Sequence, residues 1–499
     1  MGRNVLAIDL GTSSVRAMIV DGQGNILCKK QSRYDVIRVG DYRQEQSPDE
    51  IYGHFVETAK ACVRQAGAAA ARIEAVALSS QMYNIFPVDE RGDPLYNMIL
   101  WSDSRSERQA ERMTALHGRD CLYRETGCPL SSMYPFSKIL WMKEEERERE
   151  IAERAVKYIS IKEYIVEKMT GKYIVDYSMA AGTGIFNIHT MRWDGKALAY
   201  LGLTEEAFSE PVSGLACLEF VNDDLREELG LPKEVKVVSA GGDGPMAQVG
   251  SGACEEGSVN VDIGTSAAAR VIVHRPIVDS EGRMWTYAVT KDSWVYGGIL
   301  SNAGNGYHWL VQNIAEFMQA ETMDSVFDTV EERMEKLSGI REELLFVPYL
   351  LRCRSPYWDD RVRATIYGLT QEHTFVDIAK VYLESIGFDM FSLIRIIGEQ
   401  VEVKDRILLT GGLARSAMIC QLLADILGRE IVTLRSGEGS IMGAAIFGLK
   451  ALGVLEELHF GREPEVLDSY APRAEIHRKY QKKYEKYVKL RNALHELET

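Results

Sequence analysis

Two short runs carry an aspartate, a glycine and two hydroxyls in the same order: Asp9-Leu10-Gly11-Thr12-Ser13 and Asp262-Ile263-Gly264-Thr265-Ser266. A glycine in a tight turn lets the backbone approach a ligand closely. Successive backbone N–H groups there form an anion-binding concavity, and Thr and Ser hydroxyls add donors. Phosphate suits such a turn; two ordinary hairpins are the structural alternative. A third run, Ser239-Ala240-Gly241-Gly242-Asp243-Gly244-Pro245, sets Asp243 among glycines after a strand expected at 235–238. A carboxylate placed there is able to act as a general base or to hold a metal. Asp also favours the N-cap of a following helix, and both readings stand. A fourth run, Ile407-Leu408-Leu409-Thr410-Gly411-Gly412, leads into an expected helix at 413–427 and reads as a nucleotide-binding corner. It lacks the lysine of a Walker A loop. Ser301 to Gly306 is a further polar loop, for which a plain turn is the alternative. Together these parts suit phosphoryl transfer, which needs positioning and charge neutralisation more than covalent chemistry. Mg2+ would then be held through Asp9 and Asp243, largely by way of water.

The elements that must position these residues follow from the hydrophobic pattern. Val5 to Ile8, Val15 to Val20 and a segment from Ile26 read as an antiparallel meander, with turns at Gly11–Ser14 and Asp21–Asn25. A helix from Pro48 to Gln65 follows, with Ile51, Phe55, Ala59 and Val63 at helical spacing, and then a strand at 73–78. Strands that first run together and then alternate with helices predict an α/β layered domain with a mixed sheet. The aspartates of the two runs lie 262 − 9 = 253 positions apart, which predicts a tandem pair of related domains. The arginines after them, Arg16 and Arg270, are offset by one position. The charge run Glu144–Glu150 reads as a solvated face of a helix over 137–153, and Ile476, Tyr480, Tyr484 and Val488 mark an amphipathic terminal helix packed on its own domain.

A chain of 499 residues exceeds one compact core. A net charge of -15 repels a nucleic-acid backbone, so nucleic acid is not expected as a partner. Eight scattered cysteines without a C-x-x-C pair argue against a zinc site or a disulfide framework and predict buried, reduced thiols. No signal peptide, myristoylation pattern or bilayer-length apolar run is legible, so no membrane association and a cytoplasmic location are expected.

The ordered set Asp9 to Arg16, Trp101-Ser102-Asp103-Ser104-Arg105, Met133 to Trp141, Gly241 to Gly244, Asp262 to Ser266 and Thr410-Gly411-Gly412 resembles the FGGY carbohydrate kinases of the actin, Hsp70 and hexokinase superfamily. The pattern Glu438 with Gly443-Ala444-Ala445 fits as well. The resemblance implies two ribonuclease-H-like domains with a cleft between them: a sugar-binding domain over 1–246, an ATP-binding domain over 247–455 and a helical extension over 456–499. It implies Asp243 as general base and sugar ligand, and Asp9 with Asp243 at Mg2+. For ATP it implies Gly11, Thr12, Ser13 and Arg16 at the γ-phosphate, Gly264, Thr265 and Ser266 at the other phosphates, and Gly411 and Gly412 at the adenosine. Gln81, Met82, Tyr83, Asp103 and Arg105 would meet the sugar, with a structural salt bridge as the alternative for Arg105, and relatives suggest a homodimer. The segments 133–145, 161–164, 176–178 and 348–350 are similar to gluconate kinases, where Arg105 or Lys138 would meet a sugar carboxylate. Two features depart from the family pattern. Tyr83 stands where xylulose kinases tend to have His, and Arg352-Cys353-Arg354 replaces a usual Gly-Glu-Arg. A ketopentose kinase of the xylulokinase type, or more remotely a nucleotide-gated binding protein, is the alternative.

Overall fold

The computed structural model describes residues 3–40, 42–318, 322–337, 339–359, 361–434, 438–461 and 464–498. The chain forms two compact units that interleave in sequence. Unit 1 comprises Met1–Cys254, Val273–Tyr296 and Glu438–Glu463; unit 2 comprises Glu255–Ile272, Gly297–Gly437 and Pro464–Thr499. The contiguous boundaries expected at 246 and 455 do not describe these two returns of the chain to unit 1.

Unit 1 is built on a mixed sheet of β1 (Asn4–Leu10), β2 (Ser14–Asp21), β3 (Ile26–Arg33), β4 (Ile73–Ser80), β5 (Cys217–Glu219) and β6 (Lys236–Gly242), in the order β5-β6-β4-β1-β2-β3. β1 runs antiparallel to β2 and parallel to β4, and β4 runs parallel to β6. Every residue of β1 is buried, as a central strand covered on both faces requires. The helix Pro48–Ala66 starts where the Ser47 side chain accepts the Glu50 N–H and Pro48 occupies the first turn. It buries Ile51, Phe55, Ala59, Cys62 and Val63 in one cluster with Leu6, Ile8, Val15 and Val76. The parallel registers bring Leu10, Ser80 and Gly242 side by side, so the loops after three strands emerge together. Carboxyl ends of parallel strands are where α/β sheets bind ligands.

Unit 2 repeats the motif. β7 (Asn260–Ile263) pairs antiparallel with β8 (Ala267–Val273) and parallel with β9 (Arg406–Thr410), followed by β10 (Glu430–Leu434) and β11 (Val466–Tyr470). The one-position offset of the arginines has a structural consequence. Arg16 lies across from Asp9, whereas Arg270 lies across from Asn260. The terminal helix Ala474–Glu498 belongs to unit 2. It buries Tyr480, Tyr484 and Tyr487, and Lys483 forms a buried ion pair with Glu384. It is therefore an integral part of the unit.

Two sequence expectations need correction. The helix expected over 137–153 is two helices, Pro135–Glu144 and Glu146–Arg154, broken at Glu145, whose ψ of 131° is extended. The helix expected from Leu413 begins at Ala417, capped by Ser416, after a tight turn at Gly412–Arg415. All eight cysteines are free thiols; Cys217 is exposed and Cys254 half-buried, the others buried. No helix of the described residues is long and apolar enough to cross a membrane.

Candidate active site

In unit 1 the Gly11–Ser13 turn closes with the Gly11 N–H donating to the Ser14 carbonyl at 3.0 Å. Ser13 is exposed at its tip and Thr12 half-buried. Thr12 Oγ1 donates to Gln81 Oε1 at 3.2 Å and accepts from Trp101 Nε1 at 3.2 Å. Gln46 ties the turn further, donating to the Thr12 carbonyl at 2.6 Å and accepting from Gln81 Nε2 at 3.0 Å. The loop is thus held from the side of Gln81.

Asp9, at the end of β1, is 1% exposed. Its Oδ2 accepts from Arg16 Nε at 3.1 Å and Nη2 at 2.5 Å. Its Oδ1 is buried and has no hydrogen-bond partner among the described residues. Arg16 also reaches Glu438 Oε2 at 3.1 Å and Ser440 Oγ at 3.0 Å. Burial works to lower the Arg16 pKa, but Asp9, Glu438 and Asp243 outweigh it and hold the group above its ordinary value. Asp243 is therefore near enough to feel the Arg16 charge.

Asp243 is the first residue of the helix Asp243–Gly250, which has Gly242 as its N-cap. Its Oδ1 accepts the Gly244 N–H at 2.8 Å, and it is half-buried. The capping alternative is therefore not what the local structure adopts. Helices Asp243–Gly250 and Gly439–Ala451 approach closely through glycines. A Cβ at Gly443 would stand 2.0 Å from the Met246 carbonyl oxygen, and one at Gly250 would stand 1.9 Å from that of Gly439.

The expected sugar residues divide. Tyr83, half-buried, has a φ of 62° and packs edge-on against Tyr134, ring centroids 5.6 Å apart. Met82 is buried and lies against Gly242 and Gly182. Asp103 and Arg105 are committed to each other. Arg105 Nε donates to Asp103 Oδ1 at 2.8 Å, and Nη2 meets Asp103 Oδ2 and Glu45 Oε1, each at 2.7 Å. Arg105 also lies over the Trp141 ring at 5.0 Å, and its side chain is 1% exposed. This geometry is that of a buried structural ion pair. Lys138 is fully buried behind the loop, and its Nζ donates to the Tyr83 carbonyl at 2.6 Å.

Unit 2 carries the second set. The Gly264 N–H donates to the Ser266 carbonyl at 2.9 Å. The Gly304 and Asn305 amides donate to the Gly264 and Thr265 carbonyls at 3.0 and 3.1 Å, so the 301–306 loop is joined to this turn. Thr265 is exposed. Asp262 Oδ2 accepts from Thr410 Oγ1 at 2.8 Å. Gly411 has a φ of 95°, and a Cβ there would stand 2.5 Å from the Ile263 carbonyl carbon, so only glycine fits. Gly412 is open, with nothing within 4 Å of a Cβ.

Residues 4–250 match the model of the N-terminal domain of the FGGY family of carbohydrate kinases, and residues 259–452 that of its C-terminal domain. The chain belongs to the FGGY carbohydrate kinases. A gluconokinase of Bacillus licheniformis is 32% identical over 498 residues, 98% of this chain and 96% of that one. A gluconate kinase structure from Lactobacillus acidophilus superposes with a TM-score of 0.92 at 28% identity, covering 99% of this chain and 98% of its own. A ligand-bound xylulose kinase from the same organism gives 0.90 at 27% identity, covering 99% and 98%. As an FGGY kinase the protein is a phosphotransferase that uses ATP as phosphate donor. The residues that sequence reasoning left without a role are Gln46, Lys162, Asp176, Ser178 and Glu438. Lys162 lies beside Glu163 and Asp176 ends an apolar strand, charges that the sequence offers but cannot connect.

Proposed function

We propose that this FGGY kinase phosphorylates gluconate, giving 6-phosphogluconate and ADP. The observation that carries the reading is the likeness to a gluconokinase, 32% identical over 98% of this chain, with Asp243 presented at the mouth of three parallel strands. Asp243 accepts the proton of the attacking sugar hydroxyl. The oxygen then bonds to the γ-phosphorus, the bond to the β,γ-bridging oxygen breaks, and ADP leaves. Gly11, Thr12, Ser13 and Arg16 take the γ-phosphate, Gly264, Thr265 and Ser266 the other phosphates, and Gly411 and Gly412 the adenosine.

Mg2+ bound with ATP would neutralise phosphate charge. The buried Asp9 Oδ1, without a hydrogen-bond partner among the described residues, suits it. Among the described residues no group of three or more His, Cys, Asp or Glu could by itself hold a metal ion. Arg16, clamped by Asp9 and Glu438, keeps a fixed positive charge beside the turn that would hold the γ-phosphate. On the sugar side, Tyr83 and the Gln81 loop are the contact surface; Asp103 and Arg105 support it from behind.

The test is ADP release with Mg2+, ATP and a panel of gluconate, D-xylulose, glycerol and ketohexoses. The reading expects gluconate to give the highest kcat/KM. A higher value on D-xylulose would transfer the assignment to the ketopentose class, which the xylulose kinase likeness favours.

A further inference from the structure

Behind the Asp243 loop lie three buried polar side chains that the chemistry above does not use. Lys162 Nζ meets Asp176 Oδ2 at 2.6 Å, with side-chain exposures of 2% and 1%. Asp176 Oδ1 accepts the Ser178 hydroxyl and also the Ser178 and Met179 amides at 3.0 and 3.1 Å. The same Ser178 oxygen accepts the Gly242 N–H at 2.8 Å. Gly242 immediately precedes Asp243. A Cβ at Gly241 would stand 3.0 Å from that oxygen, so the loop backbone is laid directly on the hydroxyl.

The geometry points to a positioning relay: we propose that Lys162, Asp176 and Ser178 set where the Asp243 carboxylate stands, acting through the Gly242 amide. The inference rests on the reading of Asp243 as general base. A hydroxyl has one proton and two lone pairs. The Ser178 hydroxyl donates its hydrogen bond to Asp176 Oδ1, which turns a lone pair of Ser178 toward the Gly242 N–H. Lys162 pairs with the outer oxygen of Asp176 and so balances its charge in a buried place. The loop follows an irregularity in the β6 ladder, which the Ser178 contact supports from outside the sheet. The register between β6 and β4 shifts between Val238 and Gly241, and Ala240 has a φ of 48°. Gly242 is paired again opposite Ser80, so the Ser178 hydroxyl is a second hold on it beside the sheet. A buried ion pair contributes little net stability against apolar residues of equal volume, so stability alone does not account for it.

The test uses the full-length protein with ATP and the sugar that the panel selects. Ser178→Ala is expected to lower kcat about 10- to 100-fold, because a misplacement of about 1 Å costs about 100-fold. KM for both substrates should stay within about threefold. Ser178→Thr, which keeps the hydroxyl, should recover most of the loss. Asp243→Asn is the reference. If it retains turnover, the base assignment fails and the relay with it. If Asp243→Asn abolishes turnover while Ser178→Ala keeps wild-type kcat, or if Ala and Thr lose equally, the relay is overturned and the base stands. Should Ser178→Ala not fold, Ser178→Cys keeps the volume with a weak donor and carries the same kcat expectation and the same refutation.

Discussion

Replacing Gly242 by alanine tests how tightly the sugar loop and the Asp243 loop are packed. Gly242 has φ -71° and ψ 155°, an extended conformation open to any residue, so backbone strain is not the issue. The obstacle is Met82. A Cβ would stand 2.5 Å from its Cγ and 2.7 Å from its Sδ. Met82 is 2% exposed, and its Cε is hemmed in by Gly182, where a Cβ would stand 2.7 Å away. Carbon atoms in contact need about 3.5–4.0 Å, so one loop must move by about 1 Å. Overpacking of this kind costs about 1–3 kcal/mol, and a shift of about 1 Å at the reacting groups costs about 100-fold in rate. Urea unfolding and coupled ADP release measure the two effects. Met82→Ala alone should cost about 2–5 kcal/mol through its cavity. The double variant should be less impaired than the sum, with a coupling of about 0.5–3 kcal/mol. Wild-type stability and turnover in Gly242→Ala, or additive losses in the double variant, would refute the packing argument.

Arg105→Met should destabilise the protein by about 3–5 kcal/mol in urea unfolding, because it strands Asp103 and Glu45 in the interior. Unchanged stability with a gluconate KM raised tenfold would instead mark Arg105 as a sugar ligand. Lys483→Met should cost a similar amount by leaving the buried Glu384 without this cation, the Tyr480 hydroxyl remaining, and it should loosen the terminal helix, measured as faster amide exchange over 474–498. Burial works to raise the Asp377 pKa, but Arg341 and the Thr374 hydroxyl and amide outweigh it and hold the carboxyl down to about 2. Its folded pKa lies below the unfolded one, so its stabilisation is full above about pH 4 and is lost as the pH falls toward 2. The stability gap between wild type and Asp377→Asn should therefore close over that range in acid unfolding curves; a constant gap would contradict the pairing.

Much of the fold could be read from the chain because its strands are short, continuous apolar runs ended by glycine turns. β1, β2 and the helix after Pro48 lie within one or two residues of expectation. The break at Glu145 was not legible, since a run of seven charged residues has no apolar period to interrupt. The domain layout was only partly legible. The returns of Val273–Tyr296 and Glu438–Glu463 to unit 1 depend on long-range contacts, such as the Tyr123 hydroxyl on the Met284 carbonyl at 2.8 Å. At the candidate site the glycine turns and Asp243 were visible as types and spacing. What the sequence could not distinguish is a polar residue facing a ligand from one facing its own protein. Asp103 and Arg105 are expected at the sugar, with a structural salt bridge as the alternative for Arg105, and they bond each other in the interior.

The most direct test of the account is single-turnover phosphoryl transfer from labelled ATP to gluconate by wild type and Asp243→Asn. Both proteins should bind gluconate, and Asp243→Asn should lower the transfer rate by about 100- to 10,000-fold, the range of general-base contributions. Transfer by Asp243→Asn at the wild-type rate would contradict the assignment of the base and the mechanism built on it.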